Sequence, residues 1–328
     1  MQPSLRALLS DIVDYAGLYP PAELPLDAAI RTFAADRQSP EADMLARFVI
    51  PAAKLQDLAP YKDELFAANP GFRFSVLGGG GETLDDFAGA IDQMREQIHA
   101  FYAIHGSNVR VEATELRLPA LIHDRDATDL TWLQKKITSL WQTPAGRIPS
   151  FLEVPPGPAW NETMEFAAFS DFRAQFGDGL PPADAPFGFK LRTGGVTADA
   201  FPPIERVAHT IAVCRDRAVP IKFTAGLHHP IRHHNNSVAT KMHGFINVFA
   251  AAALAAHFGT ERFNETKIAN VLQSENSEDF LFDASGLTWH DHHIPTDAIE
   301  TVRRRFAISF GSCSFDEPRD DLRALGWM

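Results

Sequence analysis

Residues 187–195 read FGFKLRTGG, residues 202–218 read PPIERVAHTIAVCRDRA, and residues 219–229 read VPIKFTAGLHH. The first and third segments are short, carry β-branched and aromatic residues, and stop at glycine, which is the signature of a strand. The middle segment spaces its apolar residues three and four apart, which is the signature of a helix. Strand, helix and strand in succession define a βαβ unit. Its right-handed crossover places the helix on one face of a parallel pair.

The same rhythm extends outward in both directions. Upstream, strand-like MLARFVIPA (44–52), FRFSVLGGGG (72–81), VRVEATELRLP (109–119) and IPSFLEVPP (148–156) each precede a helical segment. Those helical segments are read over 54–69, 83–106, 127–142 and 161–177. Downstream, VPIKFTAGLHH precedes MHGFINVFAAAALAAHFG (242–259). That makes six βα units. A further strand is expected near the start, within ALLSDIVDYAGLYPP (7–21). Another is AISFGSCSF (307–315), followed by a short helix, EPRDDLRALGW. Eight units predict a closed (β/α)8 TIM-like barrel of class α/β; a doubly wound open sheet is the alternative. Residues 259–306 break the rhythm, with a helix at NETKIANVLQSEN and a hairpin turning at Ala284–Gly286. They read as an insertion before the last strand, over the mouth or rim. No low-complexity linker divides the chain, so 1–328 reads as one barrel domain.

Composition narrows the functions. A chain of 328 residues with 45% apolar and 22% charged residues has ample material for a core. Its net charge of -12 and the absence of a basic cluster argue against nucleic acid as a partner. The longest apolar run, Phe245 to Ala256, is broken by Asn247 and is too short to span a bilayer, so no membrane is expected. The N-terminus lacks a signal-peptide pattern. Cys214 and Cys313 are too few to staple the chain, so a cytoplasmic location is expected. There is no GxGxxG opening a helix and no GxxxxGK[ST], so nothing requires a nucleotide. The partner expected is a small-molecule substrate; a homo-oligomer stays open.

Alternation along the strands selects candidate site residues, because inward and outward positions alternate and reacting groups gather at strand C-termini. In FGFKLRTGG, Phe187, Phe189 and Leu191 belong under the helices, which turns Lys190 and Arg192 inward. In VPIKFTAG, Val219, Ile221 and Phe223 face outward, and Lys222 and Thr224 inward. Glu153 opposes Leu152 and Val154. Glu112 and Glu115 fall on opposite faces of a regular strand, and Glu115, nearer the C-terminal end, is favoured. Buried charges need partners. A salt-bridged plug is the bland explanation; the functional one is that burial and a neighbouring ammonium lower a lysine pKa until the amine can act as nucleophile or base.

His228 and His229 follow the seventh strand directly, so at least one is expected at the mouth as acid, base or anion ligand. His233 and His234 read as a solvated loop, and HDHH (290–293) as surface or a lid contact. A divalent metal held by His228 or His229, His233, Glu153 and a residue of HDHH is the alternative to a cofactor-free site. Ser312 and Ser314 are candidate substrate ligands at the last strand. Cys313 between them is either a nucleophile without a visible local activator or, the favoured reading, a small buried residue. Asp316 and Glu317 read as the cap and first turn of the closing helix. Asp14 and Tyr15 line the mouth if the first strand ends there.

FKLRTGGVTADAF (189–201) and VPIKFTAGL (219–227) resemble the sixth and seventh strands of class I deoxyribose-phosphate-type aldolases. The resemblance covers about a fifth of the chain. It implies Lys190 as the Schiff-base lysine, Lys222 as the partner that tunes it, and Glu115 as the acidic residue of the fourth strand. Arg192 and the two histidine pairs have no counterpart in that pattern. DYAGLYPP (14–21), TAGLHHP (224–230) and FGSCSFDEP (310–318) resemble an uncharacterised bacterial barrel family, which implies no activity. Three functions follow as expectations. The first is a lyase acting on a small carbonyl or carboxylate compound through Lys190. The second is a metal-dependent hydrolase or isomerase built on His228, His229 and Glu153. The third is a non-catalytic small-molecule binding barrel.

Overall fold

The computed structural model describes residues 1–328 except 125, 127, 128, 141–146, 159 and 168–185. The readings of helix over 127–128, 141–142 and 168–177 lie outside the described residues. Eight parallel strands close into a barrel: β1 (Val13–Tyr15), β2 (Leu45–Pro51), β3 (Phe72–Gly79), β4 (Val109–Arg117), β5 (Ser150–Glu153), β6 (Phe187–Arg192), β7 (Ile221–Thr224) and, after the insertion, β13 (Ala307–Ser312). Each pairs with the next, and β13 closes the ring by pairing with both β7 and β1. The chain is therefore a (β/α)8 TIM-like barrel, with helices outside the sheet.

The outward faces carry the main core. Phe189 packs on Trp160 of the helix Trp160–Ala167, and Phe223 packs on Phe249 of the helix Phe245–Arg262. Tyr15, Phe33, Phe48, Phe72, Phe74 and Phe101 form a chain of ring contacts between β1–β3 and their helices. Burying such rings, each about 150–250 Å² in area, dominates the stability of a core.

Two local readings are corrected. Residues 54–69 do not form a regular α-helix. A 3-10 segment, Ala52–Tyr61, runs into a π-helical turn, Lys62–Ala67. Pro60 lies inside it, lacks an N–H and disfavours a helical Leu58–Ala59 approach, which accounts for the break. The insertion also sits elsewhere than expected. A small hairpin, β8 (His233–Asn235) and β9 (Thr240–Met242), follows β7. Further on, β10 (Phe280–Phe282), β11 (Gly286–Trp289) and β12 (His292–Pro295) form an antiparallel sheet. That sheet packs on the first helix, Pro3–Leu9, and on the helix Thr296–Arg305. Ser4 N–H donates to Asp283 O. The sheet thus lies beside the chain entering β1, and none of its residues lines the cavity at the barrel mouth. No helix among the described residues is long and apolar enough to cross a membrane.

Candidate active site in the barrel mouth

The barrel interior is filled by charge. Seven side chains alternate in sign in the order Glu153, Lys190, Glu115, Lys222, Asp14, Arg47, Glu112. Successive contacts measure 3.0, 2.8, 2.5, 2.8, 3.3 and 3.2 Å. Each charge between the two ends touches two of opposite sign, which is what makes burial of so many affordable in free energy. Hydroxyls fill the remaining valences: Ser75 donates to Glu115 at 2.6 Å and accepts from Lys222 at 3.1 Å, and Ser309 donates to Asp14 at 2.5 Å.

Lys190, Lys222 and Glu153 thus stand where alternation places them, and Glu115 faces inward with them. In the pairing of β6 with β7, Lys190 lies directly opposite Lys222. Asp14 also faces inward, but it is buried under Lys222 and does not line the mouth. Tyr15, its neighbour on the strand, points the other way into the aromatic core, with 2% exposure. Burial raises its phenol to about 12. One strand cannot send adjacent residues to the same face, so the expectation of both at the mouth fails. β4 shows the opposite case. Its pairing with β3 skips a residue between Val111 and Ala113, a bulge at Glu112. That extra residue resets the alternation, so Glu112 reaches Arg47 while Glu115 reaches both lysines.

A cavity of about 210 Å³ opens above this network. Its wall includes Glu115, Lys190, Arg192, Thr224, His228, Cys313 and Tyr19. Lys222 and Asp14 lie deeper and do not touch it. The network therefore has two halves. The Asp14–Arg47–Glu112 end lies away from the mouth cavity; Lys190 and Glu115 at the other end form part of its wall.

The electrostatics of Lys190 correct the expected lowering of its pKa. Burial does pull the ammonium down, but contacts with Glu115 and Glu153 outweigh it and hold Lys190 above the ordinary lysine range. The second ammonium does not depress it because the Glu115 carboxylate stands between them, one oxygen on each lysine. Burial likewise pushes the Glu115 carboxyl up, and the two ammoniums overcome that and hold it well below the usual range.

Among the histidines, only His228 lines the cavity. Its Nδ1 lies 2.9 Å from Glu317. His229 turns away to Asp321 at 2.5 Å, and the ring of His233 stacks edge-on against it. His292 contacts Asp291 and Lys267 in the insertion. His228, His229, His233, Glu153 and HDHH therefore do not converge. Among the described residues, no group of three His, Cys, Asp or Glu is placed to hold a metal ion.

Ser312 and Ser314 do not line the cavity either. On β13, Ser309 and Gly311 share the inward face and Ser312 the other, while just past its end Cys313 reaches the cavity and Ser314 does not. The two serines shape the turn into the closing helix, Asp316–Ala324. Ser312 donates to Ser314 O at 2.7 Å, and the Ser314 hydroxyl accepts the Glu317 N–H at 3.1 Å. Asp316 and Glu317 both occupy the first turn, so neither is the expected cap, and Ser314 supplies the capping oxygen.

Residues overlooked in the sequence are Arg47, Ser75, Ser309, Tyr19 and Glu317. The period of two on MLARFVIPA, FRFSVL and AISFGS could have found the first three. Tyr19 lies beyond the strand, where no period applies. Its hydroxyl is buried and has no hydrogen-bond partner among the described residues. Burial, then the nearby Glu115 charge, raises its pKa. A buried hydroxyl left open at a cavity wall suits a ligand oxygen.

Comparison with known family models and with curated proteins finds no match to this chain. The site therefore stands on its own geometry.

Proposed function

We propose that the protein is an enzyme acting on a small carbonyl compound that carries an anionic group, and that it makes or breaks the bond next to the carbonyl through Lys190, as a lyase of aldolase type. One observation carries the reading: a lysine amine contacting two carboxylates forms part of the wall of a small cavity at the C-terminal mouth of a barrel. The cavity, about 210 Å³, has room for a small substrate. Arg192 and His228 on the same wall supply positive charge for its anionic end.

In this mechanism Lys190 first gives a proton to Glu115 or Glu153, which it touches at 2.8 and 3.0 Å. The free amine adds to the carbonyl carbon, water leaves, and the iminium draws the electrons of the adjacent bond. Lys222 holds the far oxygen of Glu115 and so sets how readily that carboxylate takes the proton. The elevated Lys190 pKa makes amine release the demanding step, so imine formation rises with pH.

That same elevation favours a second reading, in which Lys190 stays an ammonium and stabilises a developing oxyanion. Borohydride trapping separates the two. With small 2-oxo acids and aldehydes, the reduced adduct is expected on Lys190, increasing from about pH 7 toward the lysine range near 10.4, and absent in Lys190→Arg. Turnover retained in Lys190→Arg without any adduct favours the oxyanion reading. Ligand affinity retained without turnover in either protein leaves a binding barrel. The metal-dependent alternative lacks a converging ligand set among the described residues.

A further inference from the structure

We propose that Cys313 is a second nucleophile of the mouth cavity, with His228 taking its proton and Glu317 holding His228, and that it takes a small electrophile bearing an anionic group. The inference uses residues other than Lys190 and does not rest on the lyase reading.

The three groups come from neighbouring elements. β13 and β7 pair at Gly311 and Thr224. Cys313 follows the first strand by one residue, and His228 follows the second by four. Both reach the cavity wall. His228 Nδ1 lies 2.9 Å from Glu317, and the His228 ring shares the cavity wall with Cys313. Nucleophile, base and a carboxylate that orients the base are the arrangement by which a weak nucleophile is activated. The flanking serines fix it in place, because their hydrogen bonds form the turn that carries Glu317 back beneath His228.

The charges agree with that assignment. Burial lowers the His228 pKa, but its polar neighbours, Glu317 among them, prevail and raise it to about 9, so the ring holds a proton at neutral pH. Glu317 is correspondingly held low, first by its hydrogen bond to His228. Cys214 is the internal contrast. It is fully buried in the helix Ile204–Asp216, and burial raises its thiol pKa. Lys190 and Arg192 on the cavity wall select an electrophile with a negative group.

Iodoacetate and iodoacetamide are the probes, since they differ in charge and share one leaving group. In the reaction the Cys313 sulfur–carbon bond forms, the carbon–iodine bond breaks, iodide leaves, and the thiol proton stays on His228. The expected result near pH 7 is one carboxymethyl group on Cys313 by peptide mass spectrometry, with Cys214 unmodified in the native protein. Iodoacetate should react faster than iodoacetamide, relative to the same pair acting on free glutathione. His228→Asn and Glu317→Gln should each slow labelling by about tenfold or more, and Arg192→Met should remove the iodoacetate preference. Native melting curves accompany each variant; where His228→Asn loses its melt, Glu317→Gln carries the comparison. Labelling of Cys313 no faster than that of Cys214, or unchanged rates in folded His228→Asn and Glu317→Gln, overturns the proposal. Failure of Lys190 trapping leaves it standing, because the two results are read on different residues.

Discussion

Glu115 is the residue on which the interior depends. It is 5% exposed and touches Lys190, Lys222 and Ser75. Replacing it with glutamine keeps the shape and removes the charge shared by two buried ammoniums. Breaking a buried pair by removing one partner costs about 3–5 kcal/mol. Glu115→Gln is therefore expected to lose about that much stability in denaturant titration; a change below about 1 kcal/mol would show that the network contributes little. The residue scale also marks a limit of sequence reading. Lysines inside strands were legible as inward cations, but whether a second lysine or a carboxylate governs Lys190 depended on distances. The Glu115 carboxylate, placed between the lysines, decided it.

At the scale of the element, β6 owes its position to Gly188. A Cβ there would lie 2.4 Å from the Phe151 ring and 2.9 Å from Pro220 O. Phe151 occupies the interior beside β6, with its ring 5.2 Å from the Lys222 ammonium. Gly188→Ala must push either the ring or the strand, and overpacking of this kind costs about 1–3 kcal/mol. Two residues further along the same face is Lys190, so the variant is also expected to weaken Lys190 adduct formation. An unchanged melt together with unchanged trapping would show that the strand accommodates the methyl. Alternation made β5, β6, β7 and much of β13 readable. It failed at β4, because a bulge is a property of how two strands pair and leaves no mark in the period of either.

For the whole molecule, the charge network sets a pH window. The Glu115 pKa is lower folded than unfolded, so its contribution is complete above the ordinary glutamate value near 4.3 and is lost as pH falls through the folded value. The Lys190 pKa is higher folded, so its contribution is complete below the ordinary lysine value near 10.4 and is lost as pH rises through the folded value. Thermal melts across pH should therefore show this contribution constant between those limits. The stability gap between the native protein and Glu115→Gln is expected to hold near neutrality and to close below about pH 4. A gap that persists unchanged in strong acid would contradict the charge-based account.

The sequence alone determined the barrel. Six repeated strand–helix units, with a further strand candidate toward each end, admit few ways to bury one face of every helix. It also determined that Lys190, Lys222 and Glu153 face inward, since a residue beside an outward apolar side chain on a regular strand has only one other side. Tertiary structure alone decided the rest. It set the bulge at Glu112, the seat of the insertion beside the first helix, and the split of the network into an end that lines the mouth cavity and an end that does not. It also joined Cys313, His228 and Glu317, which lie far apart along the chain. Period fixes the face a side chain takes; its partner across the barrel is set by register, loop path and close packing, which arise only when the sheet closes.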